Sequence, residues 1–371
     1  MQDPAAAFND FKQTKFFGSL DGLRALCILA VLWQHSPVLG QFDDPYQIVL
    51  RGFAGVDLFF VLSGFLITTL LLREEERDGR FSLRGFYWRR ILRIVPVYFL
   101  VVTAAAGYFI LVKGQWELAP LVPFYYLFLS NIVVGDIPLL APTWSLSVEE
   151  QYYMIWPALL LLLPMNMRLR AGLALGLAIL CGLSASGQLT FLGIRPIETA
   201  HAVWAFSTNS FPAMLLGSFA AILLNTQGGF ALFYRLLGHA LSPLVMLVLL
   251  LLYLQFGPSY LVGWPNVAMH GVMVLFLVSL VIRERHVLRG VLQLRPIARL
   301  GEISYGLYLY HLFGLHIANE LGVIFGFGLW TVTALFVLFS ILISEISFRT
   351  FERYFLSLKH KPWGSAKAVA K

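Results

Sequence analysis

Charge is scarce in this 371-residue chain: Asp, Glu, Lys and Arg make up 13%, against the roughly 25% usual for soluble domains. That shortage excludes a water-soluble domain of ordinary composition. Cysteine is nearly missing too. Cys27 and Cys181 both fall inside apolar runs, so neither a disulfide framework nor a cysteine metal site is expected. They read as small buried hydrophobes. The G-x-S-x-G elbow, H-E-x-x-H, the P-loop and G-x-G-x-x-G are all absent. Nothing therefore supports a metal, a nucleoside triphosphate or a dinucleotide, and no permanently bound cofactor is expected. No internal repeat or low-complexity tract stands out.

What the chain has is hydrophobicity, at 58% apolar residues and a mean hydropathy of +0.76. Apolar runs occupy 16–39, 52–72, 92–112, 143–163, 171–188, 205–225, 241–257, 266–282, 303–325 and 329–350. Each is long enough to cross a bilayer as a helix. The fold expected is all-α, a polytopic membrane protein of ten transmembrane helices. It reads as a cytoplasmic lead (1–15), one transmembrane domain (16–350) and a basic cytoplasmic tail (351–371). The first run is too long for a signal-peptide core and no A-x-A-like site follows it, so it is expected to remain. The formal charge of +7 sits in short loops between apolar runs. It follows membrane topology, and no nucleic-acid partner is expected.

The stretch 120–142 is apolar but interrupted by Pro120, Pro123 and Pro138, with Asn131 and Asp136 inside. Parity decides its reading. If it crossed, the loop 283–301, with five arginines, would face the side opposite the Arg-rich loop 73–91. If it stays on one face, Lys12, Lys15, both Arg-rich loops, Arg168, Arg170, Arg235 and the basic tail gather on one side. Only Arg51, Lys113 and Arg195 then lie opposite. The positive-inside rule selects the second arrangement, with both termini cytoplasmic. The stretch 120–142 becomes an outer-face re-entrant or interfacial element, tolerated where protein or water satisfies its amides.

Ionisable groups inside apolar spans are functional candidates by default. Arg24 lies deep in the first run and His35 near its outer end, about 16 Å apart along a helix axis. Asp57 lies near the outer end of the second run, at a depth that matches His35 when counted from the run ends. A carboxylate there would fix the imidazole tautomer and raise its basicity. Glu149 and Glu150 enter from the outer end of the fourth run. Consecutive residues point about 100° apart, so one of the two is expected to face the same cavity. Three separate runs thus deliver ionisable groups to one expected layer. Ser63 and Gly64 read as close-packing positions.

On the opposite side Arg89, Arg90 and Arg93 cluster within one turn. They suit phosphate oxygens, though a topogenic cluster has the same look; for Arg84 the topogenic reading is preferred. Tyr305, Tyr308 and His311 recur at i, i+3 and i+6, a polar stripe that serves packing or substrate contact equally well. His201, His239, His286 and His360 fall in loops or tail and carry no signal; His270 and His316 carry a weak one.

Five motifs together, Arg24-x10-His35, GVDLFFVLSGFLI (55–67), RRILRIVPVY (89–98), TWSLSVEEQYY (143–153) and GEISYGLYLYH (301–311), resemble acyltransferase family 3 of bacterial polytopic membrane proteins. The resemblance implies transfer of an acyl group, usually acetyl, from cytoplasmic acyl-CoA to a hydroxyl of a carbohydrate destined for the cell surface. It implies Arg24 and His35 as the essential pair, His35 as the catalytic group and 89–93 as the donor contact; Tyr305 is a separate candidate for donor binding. The expected partners are acyl-CoA, a carbohydrate or glycolipid acceptor, the lipid bilayer of the bacterial inner membrane and polysaccharide-assembly machinery. Some members append an SGNH-hydrolase domain. None is read in this chain, which is expected to act alone or to hand the acyl group to a separate protein. His35 would act as general base, or carry the acyl group covalently. Two rival readings are a polytopic transporter and a scaffolding subunit. Against a transporter, the charged motifs crowd into the first 153 residues with no counterpart later. A scaffold would not need buried acid–base groups.

Overall fold

The structure, a computed structural model, describes residues 3–42, 47–189, 197–204 and 208–360. Arg195 and the tail lysines Lys361, Lys367 and Lys371 lie outside these ranges. Twelve helices of ten or more residues carry the described fold: α1 (Pro4–Gln13), α2 (Ser19–Gln34), α3 (Ala54–Asp78), α4 (Leu83–Ala106), α5 (Thr143–Leu162), α6 (Met167–Ala185), α7 (Phe211–Leu224), α8 (Gln227–Leu237), α9 (Ser242–Phe256), α10 (Trp264–Val281), α11 (Ser304–Phe325) and α12 (Leu329–Ser347). Two strands of two residues are the only sheet among the described residues. The chain is an all-α, multi-pass membrane protein.

Each of the ten apolar runs holds one of these helices, but five are both long and apolar enough to cross a membrane. They are α3, α4 with its continuation to Val112, α6, α10, and α12 with its continuation to Ser357. The pair α7 and α8, bent by 106°, makes a sixth if it counts as one broken span. Ten crossings is therefore more than this measure supports. The other helices fall short for two physical reasons. α2 has 16 residues and α9 has 15, short of the ~20 a straight span needs. α5 and α11 are long enough, but carry Glu149, Glu150 and Gln151, and His311, His316, Asn319 and Glu320.

Two contact units divide the chain. The first comprises Met1–Phe81, Val148–Glu198 and Trp204–Ser304. Its backbones approach closely where side chains vanish. A β-carbon at Gly64 would run into Met214 O of α7, and one at Gly217 would run into Val61 O of α3. This is small-residue packing of the kind membrane helices favour, as Gly64 led one to expect. Buried polar groups lace the same contact. Trp156 Nε1 donates to Thr68 Oγ1 at 2.8 Å, Thr68 Oγ1 to Ser218 Oγ at 2.7 Å, and Ser218 Oγ to Gly64 O at 2.9 Å. At the far end of α3, Glu75 takes both guanidinium arms of buried Arg170, at 2.5 and 3.0 Å. Arg170 also donates to Leu160 O, so one side chain fastens α3, α5 and α6.

The lead is not featureless. It forms α1, which lays Phe8 and Phe11 on Phe230 of α8, with ring centroids 5.3 and 5.4 Å apart. Arg73 of α3 donates to Phe11 O and Thr14 O, satisfying carbonyls where α1 ends.

The second unit comprises Ser82–Ser147, Thr199–Val203 and Tyr305–Lys371. The stretch 120–142 is irregular, as its prolines require. It contains one short helix (Val122–Tyr126), a 3-10 turn and two non-glycine residues with left-handed backbone, Phe128 (φ 55) and Leu139 (φ 70). Protein groups satisfy it. Tyr98 OH donates to Tyr125 O at 2.9 Å, Ile137 N donates to Tyr125 OH at 3.1 Å, and Thr143 Oγ1 donates to Ser130 Oγ at 3.0 Å.

Candidate active site

Two of the sequence candidates share α2. Arg24 forms an ion pair with Asp21 one turn earlier, at 2.6 Å, and each side chain is about one-fifth exposed (20% and 19%). Asp21 was missed in the sequence, although an acid three residues before a base is a recognisable helical pair. His35 caps the end of α2, and its Nδ1 lies 2.9 Å from Val31 O. A carbonyl oxygen can only accept, so Nδ1 holds the proton. In the neutral imidazole Nε2 then carries the lone pair, the form a general base requires. The tautomer-fixing task expected of Asp57 is thus performed by a backbone carbonyl.

Asp57 has a different neighbour. Its Oδ1 lies 3.2 Å from Nε2 of His270, a fully buried histidine on α10. His270 carried only a weak signal in the sequence, because an isolated histidine in an apolar run names no partner.

The register between α2 and α3 corrects the expected layer. Gly52 abuts Ala30 and Gln34, Gly55 abuts Cys27 and Ala30, and Phe65 meets Phe17. On that antiparallel register Asp57 falls opposite Leu26, not His35. At about 1.5 Å per residue the two are displaced by about 13 Å along the axis. Counting depth from run ends failed because the run 16–39 outlasts its helix. After His35 the chain turns into a 3-10 segment (Pro37–Gln41).

Glu149 lies further along the same direction. Ser63 Oγ donates to its Oε1 at 2.6 Å, and Ser63 is six residues beyond Asp57, about 9 Å. Ser63 is thus a hydrogen-bond donor to a candidate carboxylate as well as a packing residue. Its level along α3 is that of Asp21 on α2. Glu150 is half-buried beside Glu149. In place of one layer, the first unit holds three levels: His35, then Asp57 with His270, then Ser63–Glu149 near the height of the Arg24–Asp21 pair.

The remaining candidates lie in the second unit. Arg89 and Arg93, one helical turn apart on α4, are exposed, and Arg90 is half-buried. Tyr305 of α11 donates its hydroxyl to Ile94 O at 2.9 Å, one residue past Arg93. That contact fastens α11 to α4 and gives Tyr305 a packing role. Tyr308 likewise meets Ser145 Oγ at 2.6 Å and Pro142 O at 3.0 Å, and His311 Nδ1 donates to Tyr308 O at 2.6 Å. Among the described residues no three His, Cys, Asp or Glu side chains gather as a metal-ligand set.

A family model described as an acyltransferase domain (Acyl_transf_3) matches residues 17–348. The chain is 26% identical to peptidoglycan O-acetyltransferase OatA of Listeria monocytogenes, an alignment covering 91% of this chain and 55% of that protein. It is 27% identical to a putative peptidoglycan O-acetyltransferase, YrhL, of Bacillus subtilis, over 96% and 59%. It is 26% identical to a putative O-acetyltransferase of Staphylococcus aureus, over 82% and 51%. The chain therefore spans a little over half the length of these relatives. No solved structure is significantly similar to it.

Proposed function

Because the chain belongs to the acyltransferase domain family, we propose that it is a membrane O-acyltransferase that takes an acetyl group from acyl-CoA and passes it to a hydroxyl of an exported or cell-surface carbohydrate. The names of its relatives support acetyl as the group and a cell-wall glycan as the acceptor class. Family membership also removes the ground for the transporter reading. The proposed setting is the inner membrane of a bacterium, with both termini and the loops 73–91 and 283–301 cytoplasmic and 120–142 on the outer face.

The observation that carries the mechanism is the fixed tautomer of His35. Nε2 takes the proton of the acceptor hydroxyl as its oxygen attacks the thioester carbonyl. The new C–O bond forms, the C–S bond breaks, and the CoA thiolate takes the proton back from Nε2. Val31 O, still bound to Nδ1–H, steadies the transient imidazolium. Arg24 is assigned to the donor side, and Arg89, Arg90 and Arg93 to the donor's phosphates. Asp57, Glu149 and Glu150 are assigned to the charge balance along the helices that frame this chemistry.

The test is turnover by purified protein given acetyl-CoA and a soluble peptidoglycan fragment, read as free CoA and O-acetyl product. His35→Ala is expected to lose about 10²–10⁴ in rate while retaining its fold. Turnover close to wild type in that variant would remove His35 from the chemistry.

A further inference from the structure

Outside the candidate site, the first unit holds a cavity of about 600 Å³ between α1, α8 and the segment that follows α10. α10 is long and apolar enough to cross a membrane, and it ends at Val281. Its 18 residues rise about 27 Å at about 1.5 Å each, close to the thickness of a hydrocarbon core. Val281 and Ile282 line the cavity, and Arg283, Arg285 and Arg289 follow them in its wall. The cavity therefore lies at the level where hydrocarbon gives way to headgroups. We propose that it holds the headgroup of an anionic phospholipid, with the phosphodiester among these arginines. No step of the acyl transfer is involved; only the choice of leaflet, the cytoplasmic one, follows from the orientation proposed above.

A pinned segment presents the arginines. Arg283 donates to Gly238 O at 3.1 Å, Val287 N donates to Ala240 O at 3.1 Å, and Nε2 of the buried His286 lies 3.1 Å from Ser19 Oγ. Arg289 donates its Nε to Gln293 Oε1 at 3.1 Å. The acceptors of Arg283 and Arg289 are neutral, so these contacts leave both charges uncompensated. Arg285 is exposed and makes no hydrogen bond or ion pair among the described residues, which leaves its planar fork for phosphate oxygens. Against three guanidinium groups the lining sets two carboxylates, Asp10 and Glu284. Lys15 and Arg235, both exposed and next in the chain to Thr14 and Tyr234 of the lining, add two more cations at its edge. The apolar half of a lipid finds a surface as well. α8 turns 106° away from α7, as a helix laid along a bilayer surface does. It buries Phe230, Tyr234 and Leu237 and exposes Leu232 and Leu236 on its opposite side. Val287, between Arg285 and Arg289 in the chain, is exposed too. A soluble anion has no use for exposed apolar side chains beside uncompensated arginines, whereas an acyl chain joined to a phosphate needs both. Basic pockets at the cytoplasmic ends of membrane helices take such headgroups.

The experiment is native mass spectrometry of the purified full-length protein in a non-ionic detergent, titrated separately with phosphatidylglycerol and phosphatidylcholine and read as lipid bound per protein. Wild type is compared with Arg285→Gln/Arg289→Gln, two exposed positions whose replacement leaves the core intact. A control, Arg80→Gln/Arg168→Gln, removes two exposed arginines that do not line the cavity. Wild type is expected to bind phosphatidylglycerol more tightly than phosphatidylcholine. The cavity variant is expected to lose about tenfold or more in affinity for phosphatidylglycerol, while the control pair matches wild type. Undiminished phosphatidylglycerol binding by the cavity variant overturns the assignment. An equal loss in the control pair also overturns it, because net charge and not this cavity would then attract the lipid. A further arm supplies inorganic phosphate and glycerol 3-phosphate without acyl chains. If either displaces phosphatidylglycerol at a comparable concentration, the cavity takes a soluble anion and the lipid assignment fails.

Discussion

Asp57 Oδ1 lies 3.2 Å from His270 Nε2, joining α3 to α10 through a carboxylate that is 14% exposed and an imidazole that is fully buried. Neither nitrogen of that imidazole makes a hydrogen bond among the described residues, so the approach is a close acid–base proximity rather than a hydrogen bond. A buried acid–base pair of this kind is costly to break on one side only, because the survivor is left uncompensated. The two residues should therefore be energetically coupled. In denaturant titrations of the detergent-solubilised protein, Asp57→Asn and His270→Ala should each destabilise. The double variant should fall short of additivity by about 0.5–3 kcal/mol. Additive losses would mean that the 3.2 Å approach carries no interaction.

The arginines of α4 and the histidine at the end of α2 are assigned different tasks, and kinetics can separate them. Neutralising Arg89 and Arg93 together should raise the KM for acyl-CoA by roughly tenfold to more than a hundredfold, the loss that goes with about 1.5–3 kcal/mol. His35→Ala should instead remove turnover while acyl-CoA still binds. Donor affinity unchanged in the double arginine variant would make that cluster topogenic only.

Orientation is open to direct chemical reading. Cys27 and Cys181 are both buried, so a cysteine-free background is attainable with conservative replacements. Single cysteines at Arg77, in the last turn of α3, and at Gln115, just beyond α4, should differ. In intact cells an impermeant thiol reagent should label the Gln115 position and spare the Arg77 position. The reverse pattern would invert the proposed topology.

The buried His286 predicts an acid-sensitive fold. Its ordinary value of 6.5 in the unfolded chain falls to about 4 in the folded one, through burial and the nearby Arg289 charge. Between these two values the unfolded chain binds more protons than the folded one. Stability is thus full above about pH 6.5 and declines as pH falls toward 4. His286→Gln, which keeps a polar partner for Ser19, should flatten that decline. Identical pH profiles for the two proteins would assign the acid sensitivity elsewhere.

Much of the architecture was readable because a bilayer permits few solutions. Ten apolar runs each hold a helix, and Pro120, Pro123 and Pro138 break the backbone of 120–142. Depth was harder to read. An apolar run continues past the end of its helix whenever the next turn is also apolar, as with Val38 and Leu39 after His35. That displaced His35 from Asp57 by more than two turns. Partners in the other direction of the sequence were harder still. His270 lies 213 residues from Asp57, and nothing in its own run of residues points back to α3. Arg51 shows the same limit. One of three basic residues that broke the charge asymmetry, it is buried and donates to Leu254 O in the last turn of α9 and to Pro258 O just beyond it. Its position answers to a local backbone need that no loop-charge rule contains.

The Glu75–Arg170 clasp has a consequence for how the protein is made. Its two halves are 95 residues apart in the chain, and at about 5–20 residues per second the ribosome needs roughly 5–19 s to travel between them. Throughout that interval α3 has left the ribosome with a carboxylate whose intended counter-charge does not yet exist. An unpaired ion is not stable in hydrocarbon. In the proposed topology the last turn of α3 lies on the cytoplasmic side, so water holds that carboxylate until α6 arrives and buries it. Assembly of the first unit is in this sense timed by translation, and a pause or a synonymous change that slows the 76–170 stretch would lengthen the exposure without altering a single contact in the finished molecule.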